Sequence, residues 1–177
     1  MKLTTHFLKK EIRKLSVYAA ERPHKYCSLK DVKSILFICN AKDWDIGRAC
    51  VEKLKAMNKT VNTALYLASE KDVPTWYSNY LLLRADGDVN IWGIPVKSLQ
   101  QQFNSIPADL IIDFAGELSP AMYYLVLKHP STFKAGIKRS ENSAYDFTIV
   151  PPEENDTIPY LFDQILSYLQ SIKSKQS

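Results

Sequence analysis

The fold is decided by an apolar stretch, SILFICN, at Ser34–Asn40. Ile35 to Cys39 form an unbroken apolar run, which is typical of a strand buried on both faces of a parallel sheet. A second run of this kind, DLIIDF, occupies residues 109–114. Patterns of helical period lie between the apolar runs, and this alternation predicts parallel strands joined by right-handed crossovers.

The predicted elements follow from the same two periodicities. Strands are predicted at 34–40, 60–67, 88–92, 109–114, 133–138 and 145–150. Helices are predicted at 3–21, 45–57, 74–81, 96–103, 119–128 and 158–172, with Ser119 as an N-cap before Pro120. We therefore expect a three-layer, Rossmann-like, mainly parallel sheet of about five to six strands with helices on both faces. The expected strand order is 3-2-1-4-5 with the sixth strand at the edge, and an amphipathic helix precedes the sheet.

The charge of the chain is concentrated at its start. Residues 1–33 hold nine Lys and Arg against three acids, so this segment is +6, whereas the whole 177-residue chain is +4. We predict residues 1–33 as a basic helical arm packed on the domain, and residues 34–177 as a single Rossmann-like α/β domain. Contact of the arm with anionic lipid or nucleic acid is a further hypothesis, ranked behind a solvated basic face.

Four aromatic residues crowd the middle of the chain. We interpret them as core packing around a short helix, and a partner or ligand surface is the alternative. They are Trp76, Tyr77, Tyr80 and Trp92.

The cysteines and the absence of targeting motifs predict where in the cell the protein is found. Cys27, Cys39 and Cys50 are odd in number and form no CxxC pair, so we expect reduced thiols. The sequence shows no signal-peptide pattern and no apolar stretch of membrane-spanning length, which predicts a cytoplasmic protein.

The strong chemical motifs are missing from this sequence. It contains no GxGxxG, no P-loop, no HExxH, no GxSxG and no zinc-ligand spacing. We therefore predict no cofactor and no metal site, and catalytic residues are not assigned.

A ligand site is nevertheless expected at one place. In open α/β sheets, ligands bind beyond the strand C-termini at the switch point, which here lies between the first and fourth strands. An anion would also be favoured by the N-terminus of the helix that follows Ser119. The candidate ligand-binding residues are Asn40, Lys42, Asp43, Asp113, Gly116, Ser119, Lys138 and Arg139.

Each of these candidates also has a structural interpretation. Asp113 could bind backbone amides in a turn, and Asp43 could cap the next helix. Ser119 is explained as an N-cap, and Lys138 and Arg139 as solvated surface charges.

Residues 109–150 carry a resemblance. A D-L-x-I-D/N strand, then K-A-G-I, then Y-D opening the last strand, resembles the C-terminal half of a small uncharacterised α/β family from Bacteroidetes. The basic leading helix also matches, so this resemblance covers most of the chain and implies a bacterial α/β protein. The segment is more distantly similar to one Rossmann-like half of bacterial heptosyltransferases, which use two such domains with the sugar nucleotide between them.

Two functional hypotheses remain open. The first is an uncharacterised cytosolic domain, not catalytic, that binds a small anionic or phosphate-containing ligand, or a protein partner, at the switch point; a homodimer is included. The alternative, implied by the distant resemblance, is a single-domain relative of nucleotide-sugar-dependent glycosyltransferases. Asp113 would then be a general base and Lys42 with Arg139 a phosphate clamp, beside Asn40 and Ser119.

Overall fold

A computed structural model describes residues 2–21, 23–73, 79–116, 119–138 and 145–173. The helices are α1 (Lys2–Glu21), α2 (Trp44–Ala56), α3 (Lys97–Asn104), α4 (Pro120–Lys128) and α5 (Ile158–Ser171). The strands are β1 (Ser34–Asn40), β2 (Thr60–Leu67), β3 (Tyr80–Arg84), β4 (Leu110–Asp113), β5 (Phe133–Ile137) and β6 (Phe147–Ile149).

The six strands of the described residues form one sheet in the order β3-β2-β1-β4-β5-β6. Every neighbouring pair is parallel. The Rossmann-like fold class, the strand order and the N-terminal helix are thus confirmed.

The predicted third strand is wrong. The strand is Tyr80–Arg84, whereas residues 88–92, which we predicted to be this strand, belong to a turn closed by an antiparallel bridge between Val89 and Pro95. The predicted helix at 74–81 is wrong where it overlaps this strand, and residues 74–78 lie outside the described residues. The physical reason is that a short apolar run such as Leu81–Leu83 fits helix or strand equally well until pairing with β2 decides.

The side chains of β1 alternate between two apolar cores. Ile35, Phe37 and Cys39 pack with α2 and α5 on one face of the sheet. Leu36 and Ile38 pack with α3 and α4 on the other face. This alternation follows from the two-residue period of a strand, and it explains why the stretch is apolar without interruption.

Helix α4 is covered on two sides. Its residues from Ala121 to Leu127 are all buried, because the sheet lies on one side and α1 packs on the other. From α1, Leu8 and Ala19 are buried against this core, and Ile12 and Leu15 are partly buried. A helix that is apolar all round, as α4 is, requires cover of this kind.

A buried lysine of β5 binds the C-terminal end of α4. The Nζ of Lys134 on β5 donates to the carbonyl oxygens of Val126 at 2.7 Å and His129 at 2.8 Å. The ammonium group thereby binds carbonyl oxygens at the end of the helix, where its positive charge is favourable.

Candidate functional site

The switch point lies between β1 and β4, as the strand order requires. β1 leads into α2 on one face of the sheet and β4 leads into α4 on the other, so the two chain segments diverge at this edge. The two strands pair through Ile38 and Asp113, and the N–H of Phe114 donates to the carbonyl of Ile38 at 2.8 Å. Such a divergence leaves a crevice beyond the carboxyl ends of the strands.

Asn40, Ser119 and Asp43 meet at this point. The Ser119 hydroxyl donates to Oδ1 of Asn40 at 3.0 Å, and Nδ2 of Asn40 faces Oδ2 of Asp43 at 3.4 Å. The sequence places Asn40 and Ser119 79 residues apart, so this contact joins the end of β1 to the start of α4 across the crevice.

Ser119 occupies the N-cap position of α4, but its side chain does not cap the helix. The hydroxyl points at Asn40 and donates its proton there, whereas an ordinary N-cap oxygen points at the helix and accepts from its second or third amide. Ser119 therefore stands at the N-cap position, as expected, but its side chain is turned towards Asn40 and makes no capping hydrogen bond. The first-turn amides of Ala121 and Met122, which no helix carbonyl can reach, are left without this cap.

Asp113 is fully buried and serves the loop that follows β4. Its Oδ1 accepts from the N–H groups of Ala115 and Gly116, both at 2.9 Å. Its Oδ2 accepts from the hydroxyl of Tyr145 at 2.6 Å. The carboxylate thus holds the turn between β4 and α4, which is the structural alternative the sequence left open.

Tyr145 can reach Asp113 because the residue of β5 against which its ring packs is a glycine, Gly136. A Cβ at Gly136 would lie 2.7 Å from the ring of Tyr145, which is far too close. The ring also packs against Tyr123, with ring centroids 5.6 Å apart. We call Asp113, Gly136 and Tyr145 the Asp113 network.

Sequence reasoning did not select Gly136 or Tyr145 as site residues. Both stand in the K-A-G-I and Y-D motifs of the resemblance, and those motifs are the signal that could have identified them. Their contact with Asp113 depends on strand pairing and is not visible in residue spacing.

Gly116 completes the turn into α4. Its φ is +57°, a backbone conformation that glycine adopts without penalty, and its carbonyl accepts from the N–H of Ser119 at 3.1 Å. A Cβ built there meets no atom of the described residues within 4 Å, so these residues leave space beside the turn.

The basic candidate residues that the structure describes are exposed at the edge of the sheet where the crevice lies. Lys42 is exposed in the short 3-10 turn Ala41–Asp43, directly after β1. Lys138 is exposed directly after β5, at the same edge of the sheet. Arg139 lies outside the described residues, as does Glu117 in the loop after β4.

The cysteines near the site are not poised for nucleophilic chemistry. Burial, with smaller contributions from Asp43 and Asp113, raises the pKa of Cys39 far above its usual value. Burial also raises the pKa of Cys50 to about 11. Both thiols are therefore protonated at neutral pH, and the three cysteines are free.

Metal-binding clusters and membrane-spanning helices are both absent from the described residues. These residues hold no group of three or more His, Cys, Asp or Glu side chains arranged to bind a metal ion. No helix among them combines the length and the apolar character needed to cross a membrane.

The fold and the switch-point geometry define an all-parallel, Rossmann-like α/β protein. Residues 3–172 match the family of unknown function DUF6913, and the chain belongs to that family. No curated protein and no solved structure matches the chain.

Proposed function

We propose that this protein binds a small anionic ligand, bearing a phosphate or carboxylate group, at the switch point between β1 and β4. The observation that carries the proposal is the hydrogen bond from Ser119 to Asn40. It turns the side chain at the N-cap position towards β1, so the Ser119 oxygen does not cap the first-turn amides, which lie at the sheet edge where ligands of this fold class bind.

The surroundings favour an anion over a cation. Both carboxylates placed at the switch point are already engaged, since Asp113 accepts from two amides and a hydroxyl and Asp43 accepts from the side-chain amide of Asn40. Lys42 is exposed beside the crevice and can move towards a bound phosphate. The open space at Gly116 gives such a ligand room beside the start of α4.

The test is a titration of the full chain with inorganic phosphate, followed by calorimetry and by thermal stability. We expect saturable binding that Lys42→Ala weakens about tenfold, as the loss of one charged hydrogen bond does. Asn40→Asp places a negative charge in the crevice and should weaken binding at least as much.

Lys55→Ala is the matched control, since it also lowers the net charge by one. Lys55 lies in the last turn of α2, at the opposite edge of the sheet, and pairs with Glu52. Absence of saturable binding, or equal weakening in the Lys55 variant, would refute the proposal. Nucleoside diphosphates and nucleotide sugars, titrated in parallel, test the glycosyltransferase alternative, which predicts that they bind more tightly than phosphate.

A further inference from the structure

The outward face of α1 is both basic and apolar. The side chains of Lys9, Lys10 and Arg13 are exposed there, and Val17 among them is 63% exposed. These residues lie opposite the stripe that packs on α4. Lys14 on the same face pairs with Glu11 at 2.7 Å.

A rigid turn presents two further apolar side chains. Ile91 is 75% exposed and Trp92 is 42% exposed. Oδ1 of Asn90 accepts from the N–H groups of Trp92 and Ile94 at 2.9 and 3.1 Å, and the N–H of Asn90 donates to the carbonyl of Ile94 at 2.8 Å. Gly93 supplies the positive φ that the turn needs. The chain therefore holds Ile91 and Trp92 towards solvent by defined hydrogen bonds.

The turn and the helix form one continuous surface. The rings of Phe7 on α1 and Trp92 in the turn are in contact, with centroids 4.4 Å apart. Asp88, at the base of the turn, is already engaged, because its carboxylate accepts from the N–H of Arg84 at 2.8 Å. We call α1's outward face together with Ile91 and Trp92 the α1–turn surface.

We propose that the α1–turn surface docks on an anionic lipid bilayer. Lysine and arginine side chains would contact the headgroups, while Ile91 and Trp92 enter the interfacial layer, where an indole ring is favoured. Charge complementarity supports this occupant, since residues 6–19 of α1 hold four Lys and Arg against one acid, Glu11, which pairs with Lys14.

A bilayer fits this surface better than a nucleic acid does. Phosphate contacts would use the basic residues, but they give no role to exposed aliphatic side chains such as Ile91 and Val17. A bilayer uses both classes at once, because burial of apolar side chains adds to the attraction between charges.

The test is co-sedimentation of the full chain with phosphatidylcholine vesicles that do or do not contain about 30% phosphatidylserine. We expect the wild type to bind the anionic vesicles. The K10Q/R13Q variant should bind them about 30-fold more weakly, because two basic residues that attract the headgroups are removed. K53Q/K55Q is the matched control, with the same change of charge on α2, and should bind like the wild type. Ile91→Ser, in an exposed turn position, should weaken vesicle binding while leaving the fold intact.

Trp92 gives an independent readout. Brominated lipid should quench the fluorescence of the bound wild-type protein and should quench Trp92→Phe markedly less. Failure to bind anionic vesicles, or equal losses in the two double variants, would overturn the proposal. Tighter binding to duplex DNA that Ile91→Ser leaves unchanged would also overturn it, in favour of a nucleic-acid surface.

Discussion

At the residue scale, Asp113 and Ser119 make hydrogen bonds that their positions in the sequence do not fully predict. Asp113 is the last residue of a buried strand, a position that suggests a ligand-binding residue or a general base. Its two carboxylate oxygens instead accept hydrogen bonds from two amides of the following turn and from the hydroxyl of Tyr145. Ser119 has the sequence of an N-cap, yet its hydroxyl binds Asn40 from another strand. The turn amides that Asp113 accepts from are local and were predictable, whereas Tyr145 is 32 residues from Asp113 and Asn40 is 79 residues from Ser119, so residue type alone could not reveal those two partners.

The Asp113 network predicts a specific loss of stability. Gly136→Ala brings a methyl group to within 2.7–2.9 Å of ring atoms of Tyr145, so the ring must shift. We expect a loss of about 1–3 kcal/mol in the free energy of unfolding, as for other overpacked cores, measured by urea denaturation. Tyr145→Phe removes the hydroxyl that Asp113 accepts from and should cost about 1.5–3 kcal/mol.

Gly87→Ala is the matched control for the glycine. The nearest atoms to its added Cβ are 3.8 Å away, in ordinary contact, and the expected change is within about 0.5 kcal/mol. In a Tyr145→Ala background the cost of Gly136→Ala should fall, because the clashing ring is gone. An undiminished cost in that background would contradict the assigned contact.

At the element scale, strands and helices with long or unbroken apolar patterns were predictable from the sequence, whereas the short strand β3 was not. β1 and β4 hold unbroken apolar runs, β2 is eight residues long and rich in strand-forming residues, and α5 repeats its apolar residues over 14 residues. β3 is five residues long, with three consecutive leucines, and only pairing with β2 makes it a strand. The segment after it was predicted as a strand because of its apolar residues, but Oδ1 of Asn90 accepts from the N–H groups of Trp92 and Ile94 and so stabilises a turn.

The residue that ends α4 predicts how stability depends on pH. His129 is buried, its Nδ1 accepts from the N–H of Ser131 at 3.0 Å, and its Nε2 donates to the carbonyl of Ile106 at 3.0 Å. This arrangement requires the neutral ring, and burial lowers the pKa of His129 to about 4. The unfolded chain binds this proton below pH 6.5 and the folded chain does not until about pH 4, so stability should fall as the pH falls through that window.

The loss attributable to His129 is at most about 3 kcal/mol across the window. The measurement is urea denaturation at several pH values for the wild type and for His129→Gln, which has no titrating ring. The acid slope of the wild type should exceed that of the variant between pH 6.5 and 4, and equal slopes would refute the assignment.

At the scale of the whole molecule, only part of the aromatic cluster predicted as core is packed against the core of the described residues. Trp92 was interpreted as core and is exposed against Phe7, Tyr80 packs beside Trp44, and Trp76 and Tyr77 lie outside the described residues. The turn that carries Trp92 follows β3, so it leaves the sheet at the carboxyl edge, the edge of the proposed anion site. The strand order and the place of the switch point were predictable from alternation, whereas which side chains meet there was not.

The central claim is that an anion binds at the start of α4 beside Asn40 and Ser119. The most direct measurement is a backbone amide NMR titration of the full chain with inorganic phosphate. The account predicts saturable shifts concentrated at the amides of Gly116, Ala121 and Met122, and their loss in Asn40→Asp. Shifts confined to the exposed face of α1, or no saturable shift at the start of α4, would contradict it.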